Sequence, residues 1–186
     1  MNIHGHGTGK PLQPAFTVLE LLVTLAVAAI LLLTGIPSFQ KFTQRQHMKA
    51  AVDSLHNGLL LARSEAVHLD TPVVACPGEP AGGCTGNRDW SRGWIVFPDL
   101  NDDRQRQDGE TLLLHGQWFE NLSITSSRGR TSIRFLGDGS TPGSNANVSF
   151  CGPGGPPHAR KLVVSNIGRI RRDTYPDIDP VLCPAL

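Results

Sequence analysis

The sequence predicts an α+β protein in which a long N-terminal α-helix, half transmembrane and half amphipathic, packs on a globular domain rich in antiparallel β-strands. Two observations support this prediction. From Phe16 to Phe39 the chain is an apolar run with one formal charge, Glu20, and after Pro72 it becomes a series of short β-type runs separated by Gly, Pro and Asn. A helix followed by strands in series is typical of a sheet laid on a helix. The 186 residues suffice for one domain and a helical appendage.

The apolar run is long enough to cross a membrane. Residues 21–36 carry no charge, and with their flanks they can span a hydrocarbon core of about 30 Å at about 1.5 Å per residue. We therefore expect residues 16–43 to form a transmembrane helix. A cleaved secretory signal is the alternative, but its small-residue cleavage site should follow the apolar core. The candidate triplet, at 26–28, lies inside the run.

An apolar stripe with spacings of three and four residues follows Gly35 and Pro37 and predicts an amphipathic helix. Because a proline disfavours helix at the preceding residue, the helix should end before Pro72. The stripe consists of Met48, Val52, Leu55, Leu59, Ala62, Ala66 and Leu69.

Six apolar runs rich in β-branched and aromatic residues predict strands. They are residues 73–76, 94–97, 111–115, 131–135, 147–151 and 160–165. The Gly- and Pro-rich segments at 137–145 and 151–157 predict flexible surface loops.

Four cysteines indicate two disulfides and an oxidising compartment. They are Cys76, Cys84, Cys151 and Cys183. Short-range pairing favours Cys76 with Cys84 and Cys151 with Cys183, although four cysteines allow three connectivities. Without a Cys-x-x-Cys pair or a nearby histidine pair, the pattern does not predict a zinc site, and we expect neither a metal nor a cofactor.

The net charge of +1 conceals a basic segment, because residues 121–172 carry eight basic residues and the single acid Asp138. Within residues 158–172 the basic side chains are His158, Arg160, Lys161, Arg169, Arg171 and Arg172. In a strand Arg169 and Arg171 would project from one face, and two guanidinium groups on one face suit phosphate. Gly168 would allow a sharp turn or a close backbone approach before them. The alternative is a charged sheet edge that prevents aggregation.

An acidic loop at 99–110 raises a calcium hypothesis. Asp99, Asn101, Asp103 and Glu110 occupy positions 1, 3, 5 and 12 of an EF-hand-like loop. However, the glycine expected at position 6 is Arg104, and predicted strands flank the loop. The alternative is an exposed turn whose Asp and Asn side chains bond their own backbone.

The segment AFTVLELLVTLAVAAILLLTGIPSF at 15–39 resembles the class III signal of type IV pilins and pseudopilins. The resemblance implies that a prepilin peptidase removes residues 1–15 by cutting between Ala15 and Phe16, with methylation as a further processing step. Family members normally have Gly before the cut, whereas this chain has Ala15, which is also small. Glu20 would become the fifth mature residue, and Pro37 falls where pilin helices carry a kinking proline.

In filaments of this family the glutamate at the position of Glu20 faces the free α-amino group of a neighbouring subunit. Such pairing offsets the cost of burying the carboxylate, which is about 2.5–3.5 kcal/mol for a charge at membrane depth. The alternative is local: Thr17 lies three residues before Glu20, which is the spacing of a helix capping box.

Three further segments narrow the resemblance. GLLLARSEAV at 58–67 and GWIVFPDLNDDRQRQDGETLLL at 93–114 are similar to the GspH/FimT branch of pilin-like proteins. GRIR at 168–171 resembles the GRxR element of FimT-type minor pilins, which in that family binds DNA during natural transformation. The resemblance implies that Arg169 and Arg171 contact DNA and that Gly168 sets their backbone. From charge alone we add Arg172, Arg160 and Lys161.

Together these features predict a minor pilin, with residues 44–186 as a periplasmic globular domain, that binds double-stranded DNA for uptake. Its expected partners are other pilin and minor pilin subunits, the prepilin peptidase and the bacterial inner membrane before assembly; in the pilus it would be extracellular. The alternative is a GspH-like minor pseudopilin of a type II secretion system, a structural tip component without DNA binding. An enzyme is not expected, because the sequence has no G-x-S-x-G, phosphate-loop or H-E-x-x-H motif.

Overall fold

The computed structural model describes residues 17–153, 155, 158–173 and 183, without the side chains of residues 34–37. The chain divides into two compact units, Met1–Phe42 and Thr43–Leu186. One helix, α1, spans Val18–Leu69, and nine strands follow it in the described residues. This arrangement confirms the predicted fold class, a long N-terminal helix packed on antiparallel β-structure.

Helix α1 has a defined start and end. The Thr17 hydroxyl accepts a hydrogen bond of 3.2 Å from the backbone N–H of Glu20, which makes Thr17 the N-cap. At the other end Asp70 adopts a left-handed φ of 48°, and the N–H of Thr71 donates to the carbonyl of Ala66 at 3.3 Å. The helix therefore ends before Pro72, as predicted.

The first half of α1 carries the apolar run. Its large hydrophobic side chains from Val18 to Leu33 are exposed. The helix is long and apolar enough to cross a membrane. It is thus compatible with a single membrane anchor by length and composition.

The first sheet is antiparallel and centred on β1. Its strands are β1 (Val73–Glu79), β2 (Gly83–Cys84), β3 (Trp94–Pro98), β4 (Leu114–Gly116) and β6 (Ile133–Phe135). The order is β2-β1-β3-β4, and β6 also pairs with β1. Because β3 occupies one edge of β1, β2 and β6 share the other edge.

The second sheet has four antiparallel strands in the order β5-β7-β8-β9. They are β5 (Ser123–Ser126), β7 (Ala146–Cys151), β8 (Arg160–Val164) and β9 (Ile170–Asp173). Strand β9 ends this order and follows β8 directly through a hairpin.

All six predicted strands occur, although β4 begins at Leu114 instead of residue 111. Strands β2, β5 and β9 were not predicted. Strand β5 contains one apolar residue, Ile124, and β9 contains one, Ile170. These strands form because they pair with neighbouring strands. A search for apolar runs in the sequence does not detect such pairing.

The core lies between the second half of α1 and both sheets. Six of the seven predicted stripe residues are buried, and Ala51 joins them. The exception is Leu69, which is 44% exposed because it is the last residue of the helix. The strand residues of this core include Trp94, Ile133, Phe135, Phe150 and Leu162.

The first sheet is covered on its other face as well. Val74, Cys76, Ile95 and Phe97 form a second buried cluster there, with Cys84 and Leu112 packed against it. Burial on both faces explains why all five residues of β3 are buried.

Two disulfides join the cysteines in the pairing that short sequence separation favours. Cys76 bonds Cys84, which closes the β1–β2 turn, and Cys151 bonds Cys183 across 32 residues. The second bond attaches Cys183 to the end of β7, where both cysteines are buried with Ala159.

Candidate nucleic-acid interface

The GRIR element forms part of the β8–β9 hairpin. The N–H of Gly168 donates to the carbonyl of Ser165 at 2.8 Å, which closes a β-turn, and neither Asn166 nor Ile167 has a positive φ. The turn is therefore type I. Gly168 follows in the left-handed region with a φ of 74°, the arrangement of a hairpin loop with a glycine bulge.

A second segment packs on this turn. We call residues 137–141 the clamp loop. A Cβ atom built on Gly168 would lie 1.8 Å from the carbonyl oxygen of Gly139 in the clamp loop. That oxygen also accepts a hydrogen bond of 3.1 Å from Nε of Arg63 on helix α1. The left-handed φ and the backbone contact both require glycine at 168.

Thr141 completes the contact between the clamp loop and the turn. Its N–H donates to the carbonyl of Asn166 at 2.7 Å, and its hydroxyl donates to the carbonyl of Ser165 at 2.6 Å. Thr141 is fully buried. The segment expected to be a flexible surface loop is thus tied to the hairpin by backbone contacts.

The pairing register separates the arginines of β9 by face. Arg172 lies opposite the core residue Leu162, whereas Arg171 lies opposite Val163. Since directly opposed residues share a face, Arg172 faces the core side and Arg171 the outer side. Arg169 is two residues before Arg171, and both side chains are exposed.

Arg172 binds helix α1. One of its terminal nitrogens lies 2.8 Å from Oδ1 of Asp53, and the other lies 3.1 Å from Nδ1 of His56. For Nδ1 to accept this hydrogen bond, the proton of neutral His56 must be on Nε2. The structure therefore gives Arg172 an internal role that ties the last strand of the sheet to the helix.

Arg160 and Lys161, which were added to the candidate contacts on charge alone, also make internal contacts. Arg160 donates to the carbonyls of Ala159 at 2.8 Å and His158 at 3.3 Å. Nζ of Lys161 lies 3.6 Å from a carboxylate oxygen of Asp173. Both cations thus have partners in the described part of the globular unit.

Arg169 and Arg171 differ from these three residues. Across residues 17–153, 155, 158–173 and 183, neither side chain has a hydrogen-bond or ion-pair partner. The hairpin therefore presents two guanidinium groups that no described side chain or carbonyl engages, with the clamp loop fixing the backbone that precedes them. Such a pair can bind the oxygens of phosphate groups.

The acidic loop binds its own backbone. Asp99 is buried, and its carboxylate accepts N–H groups of Asp103 at 3.1 Å and Arg104 at 3.2 Å. The Glu110 carboxylate accepts N–H groups of Leu100 and Gln107, both at 2.9 Å. This is the arrangement that the alternative to calcium binding predicts.

The carboxylates of this loop also influence one another electrostatically. Burial raises the pKa of Asp99, and the negative charges of Glu110 and Asp102 raise it further. The two hydrogen bonds from backbone N–H groups lower this pKa, but by less than the other effects raise it. Asp102 in turn pairs with Arg134 of β6 at 2.5 Å. Among the residues that the structure describes, no group of three His, Cys, Asp or Glu side chains is arranged to hold a metal ion.

The structure describes some of the predicted N-terminal site residues and not others. Ala15 and Phe16 lie outside the described residues. Glu20 is exposed in the first turn of α1, where its N–H is capped by Thr17. The local capping interaction is therefore present, and it leaves the carboxylate available for other contacts.

The sequence did not predict which residues contact the β8–β9 hairpin and hold it in place. Arg63, Asp53 and His56 lie on α1, more than 100 residues before β9, and no spacing pattern links them to it. The glycines at 137 and 139 were a visible signal, but they indicated a loop without showing what it contacts.

The likeness to a solved minor pilin supports the fold. The crystal structure of the type IV minor pilin FimU of Pseudomonas aeruginosa superposes with a TM-score of 0.57 at 22% identity, over 71% of this chain and 92% of FimU. The minor pseudopilin EpsH of Vibrio cholerae has a TM-score of 0.49 at 16% identity, over 69% of this chain and 97% of EpsH.

A curated relative matches over a shorter range. The type IV major fimbrial protein FimA of Dichelobacter nodosus is 31% identical over 83 residues, which is 45% of this chain and 49% of FimA. The chain thus spans about half the length of the curated relatives it matches.

The family comparison covers most of the globular unit. A model of the family described as type II transport protein GspH matches residues 51–168, which is well over half of the chain. The match includes Gly168 and ends just before Arg169. The chain therefore belongs to the GspH family of pilin-like proteins.

Proposed function

We propose that this protein is a minor pilin of a type IV pilus that binds double-stranded DNA through Arg169 and Arg171 for uptake in natural transformation. The observation that carries the proposal is the contrast within the basic segment. Arg160, Lys161 and Arg172 have internal partners, whereas Arg169 and Arg171 are exposed without one in the described part of the chain.

The chemistry of the two arginines suits the phosphate backbone. A guanidinium group offers several donors in one plane and binds phosphate oxygens in a bidentate manner. DNA taken up from outside a cell has arbitrary sequence, so binding should depend on phosphates and not on the reading of bases. We expect weak, salt-sensitive and sequence-tolerant binding.

Support for the backbone geometry comes from the clamp loop. The hydrogen bonds from Thr141 and the close contact between Gly139 and Gly168 hold the turn that precedes both arginines. A fixed backbone reduces the entropy lost when the arginines bind. This function assigns Gly168 the role that the GRxR resemblance implies.

The test is a binding titration with charge-matched variants. Full-length protein in detergent micelles is titrated against a labelled DNA duplex, and the readout is fluorescence anisotropy. The Arg169→Ala, Arg171→Ala double variant should bind at least about tenfold more weakly than wild type at low salt. The control, Arg92→Ala with Arg128→Ala, removes the same charge from two other exposed positions and should bind like wild type.

Two results would count against the proposal. Absence of binding by the wild-type protein even at low salt would remove the DNA function altogether. Equal losses in both double variants would indicate that net charge, and not this hairpin, determines binding.

The second candidate function is a structural minor pseudopilin of a type II secretion system. The description of the matching family, type II transport protein GspH, favours it. This function requires no DNA binding, so the titration above distinguishes the two candidates. Deleting the gene would then impair protein secretion and leave transformation unchanged.

Both candidates share a proposed route to the filament. A prepilin peptidase would cut between Ala15 and Phe16, residues 16–43 would lie first in the inner membrane and then in the filament core, and residues 44–186 would be periplasmic before assembly. Glu20 would pair with the new α-amino group of a neighbouring pilin subunit. The exposed apolar side chains from Val18 to Leu33 support this proposal.

A further inference from the structure

One apolar side chain stands out beside Arg169 and Arg171. Ile167, at the tip of the β8–β9 hairpin, is 72% exposed, and it is the most exposed large hydrophobic residue in the described part of the unit Thr43–Leu186. The next most exposed residues there are Leu100 at 66% and Trp118 at 63%. Isolated exposed hydrophobic residues are common on protein surfaces, so exposure alone assigns no role.

The position of Ile167 within the turn argues for a role. It is the second central residue of the type I turn from Ser165 to Gly168. Turn positions are dominated by Gly, Pro, Asn, Asp and Ser, each of which fits the turn for a local reason. A β-branched apolar residue gains nothing there, and it is solvated in the folded protein. Departures from local preference of this kind concentrate at functional sites.

The clamp loop holds this turn rigidly. Hydrogen bonds from Thr141 fix the carbonyls of Ser165 and Asn166, which precede Ile167, and the contact with Gly139 fixes Gly168, which follows it. Ile167 therefore cannot be drawn toward the core without breaking backbone contacts on both sides. Its side chain is held in solvent by the structure.

The spacing to the arginines suits a DNA groove. At about 3.3 Å per residue in an extended chain, the Cα of Arg169 lies within roughly 7 Å of the Cα of Ile167, and that of Arg171 within roughly 13 Å. The minor groove of B-DNA is about 6 Å wide with phosphates on both rims. A turn tip that enters the groove would thus carry cations to the adjacent backbone.

We propose that Ile167 inserts into the DNA minor groove as an apolar wedge against a base step while Arg169 and Arg171 bind the flanking phosphates. This inference rests on the proposed DNA-binding function and adds a contact to it. Apolar wedges of this type unstack a step and bend the duplex. Flexible pyrimidine–purine steps, which are the easiest to unstack, should be preferred sites.

The experiment uses the full-length protein in detergent micelles and a duplex of about 20 base pairs with 2-aminopurine in place of adenine at a TA step. The fluorescence of 2-aminopurine rises when its stacking is lost. Anisotropy of an end label measures affinity on the same duplex. The variants are Ile167→Ala, the conservative Ile167→Leu, and the Arg169→Ala, Arg171→Ala pair. Thermal unfolding serves as the folding control, and it should not change because Ile167 is exposed.

We expect wild type and Ile167→Leu to raise the 2-aminopurine signal on binding. Ile167→Ala should lose that signal and bind about tenfold more weakly, since most of the buried apolar surface is removed. Its affinity should keep the salt dependence of the wild type, because no phosphate contact is lost. The double arginine variant should instead show a weaker salt dependence.

Three outcomes would overturn the inference, and they differ in whether the proposed DNA-binding function still stands. If Ile167→Ala binds and unstacks the duplex like wild type, the wedge is wrong and the DNA function stands. If Ile167→Ala binds DNA normally and fails to enter filaments, Ile167 contacts a neighbouring subunit. If the wild-type protein does not bind the duplex at low salt, the proposed function itself is wrong and the wedge with it.

Discussion

At the scale of single residues, the central feature is Gly168, where two independent requirements meet. Its φ of 74° belongs to the left-handed region, and the carbonyl oxygen of Gly139 occupies the space of a Cβ atom. Gly129 provides the natural comparison, since its φ is 73° and nothing lies within 4 Å of the position that a Cβ atom would take there. The two glycines share a backbone conformation and differ in packing.

We expect Gly168→Ala to reduce the free energy of unfolding by at least about 2 kcal/mol, from the left-handed backbone and the overpacked contact together. Gly129→Ala should cost only about 1 kcal/mol, from the backbone alone. Chemical denaturation measures both values. Gly168→Ala should also weaken DNA binding although it removes no charge, and equal effects of the two variants would contradict the packing argument.

Arg172 shows that adjacent arginines in one strand can have different contacts. Sequence alone placed it with Arg169 and Arg171, but alternation along β9 turns it toward Asp53 and His56. The face on which a side chain lies depends on where its strand begins and on the pairing register of that strand. Strand β9 was not predicted, because it contains a single apolar residue. The two exposed arginines could be selected from the sequence only through their resemblance to GRxR.

We predict that Arg172→Ala affects stability more than DNA binding. The ion pair is partly exposed, so its loss should cost up to about 1 kcal/mol. Anisotropy should show a duplex affinity within about twofold of the wild type, since Arg172 lies on the opposite face of β9 from Arg171 and its charge is already paired with Asp53. Arg171→Ala is the matched control and should show the opposite pattern. A larger affinity loss in Arg172→Ala than in Arg171→Ala would mean that the pairing with Asp53 opens on binding.

At the scale of elements, helix α1 combines two segments that differ in burial. From Met48 to Ala66 its apolar stripe is buried against the sheets, as its spacing predicts, whereas the hydrophobic side chains from Val18 to Leu33 are exposed. The periodicity of the second half and the length of the first were both visible in the sequence. The clamp loop was not, because its contacts join residues far apart in the sequence and most of them involve backbone carbonyl groups.

The role of Glu20 is a prediction at this scale. An unpaired carboxylate at membrane depth costs about 2.5–3.5 kcal/mol, and pairing with an α-amino group would offset that cost. Glu20→Ala would leave the neighbouring subunit's α-amino group buried without its partner. It should therefore abolish incorporation into filaments, measured by immunoblotting of sheared pili, while the globular unit stays folded. Thr17→Ala is the control, since it removes the cap on Glu20 and keeps the charge. Normal incorporation of Glu20→Ala would refute the pairing.

At the scale of the whole molecule, an exposed apolar helix segment and a basic hairpin occupy different units of one chain. The antiparallel fold followed from the order of helix and strands. The family followed from the resemblance of the N-terminal segment and of residues 58–67 and 93–114. The proposed DNA-binding function depends on one hairpin, whose arginines lie just beyond the residues that the family model matches.

The most direct test of the proposed DNA contacts is the salt dependence of duplex binding. Each phosphate contact contributes about 0.9 to the slope of log affinity against log salt concentration on B-DNA. If Arg169 and Arg171 each bind one phosphate, the double alanine variant should have a slope smaller than that of the wild type by about 1.8. The same slope in both proteins would contradict the assignment of the two arginines as the DNA contacts.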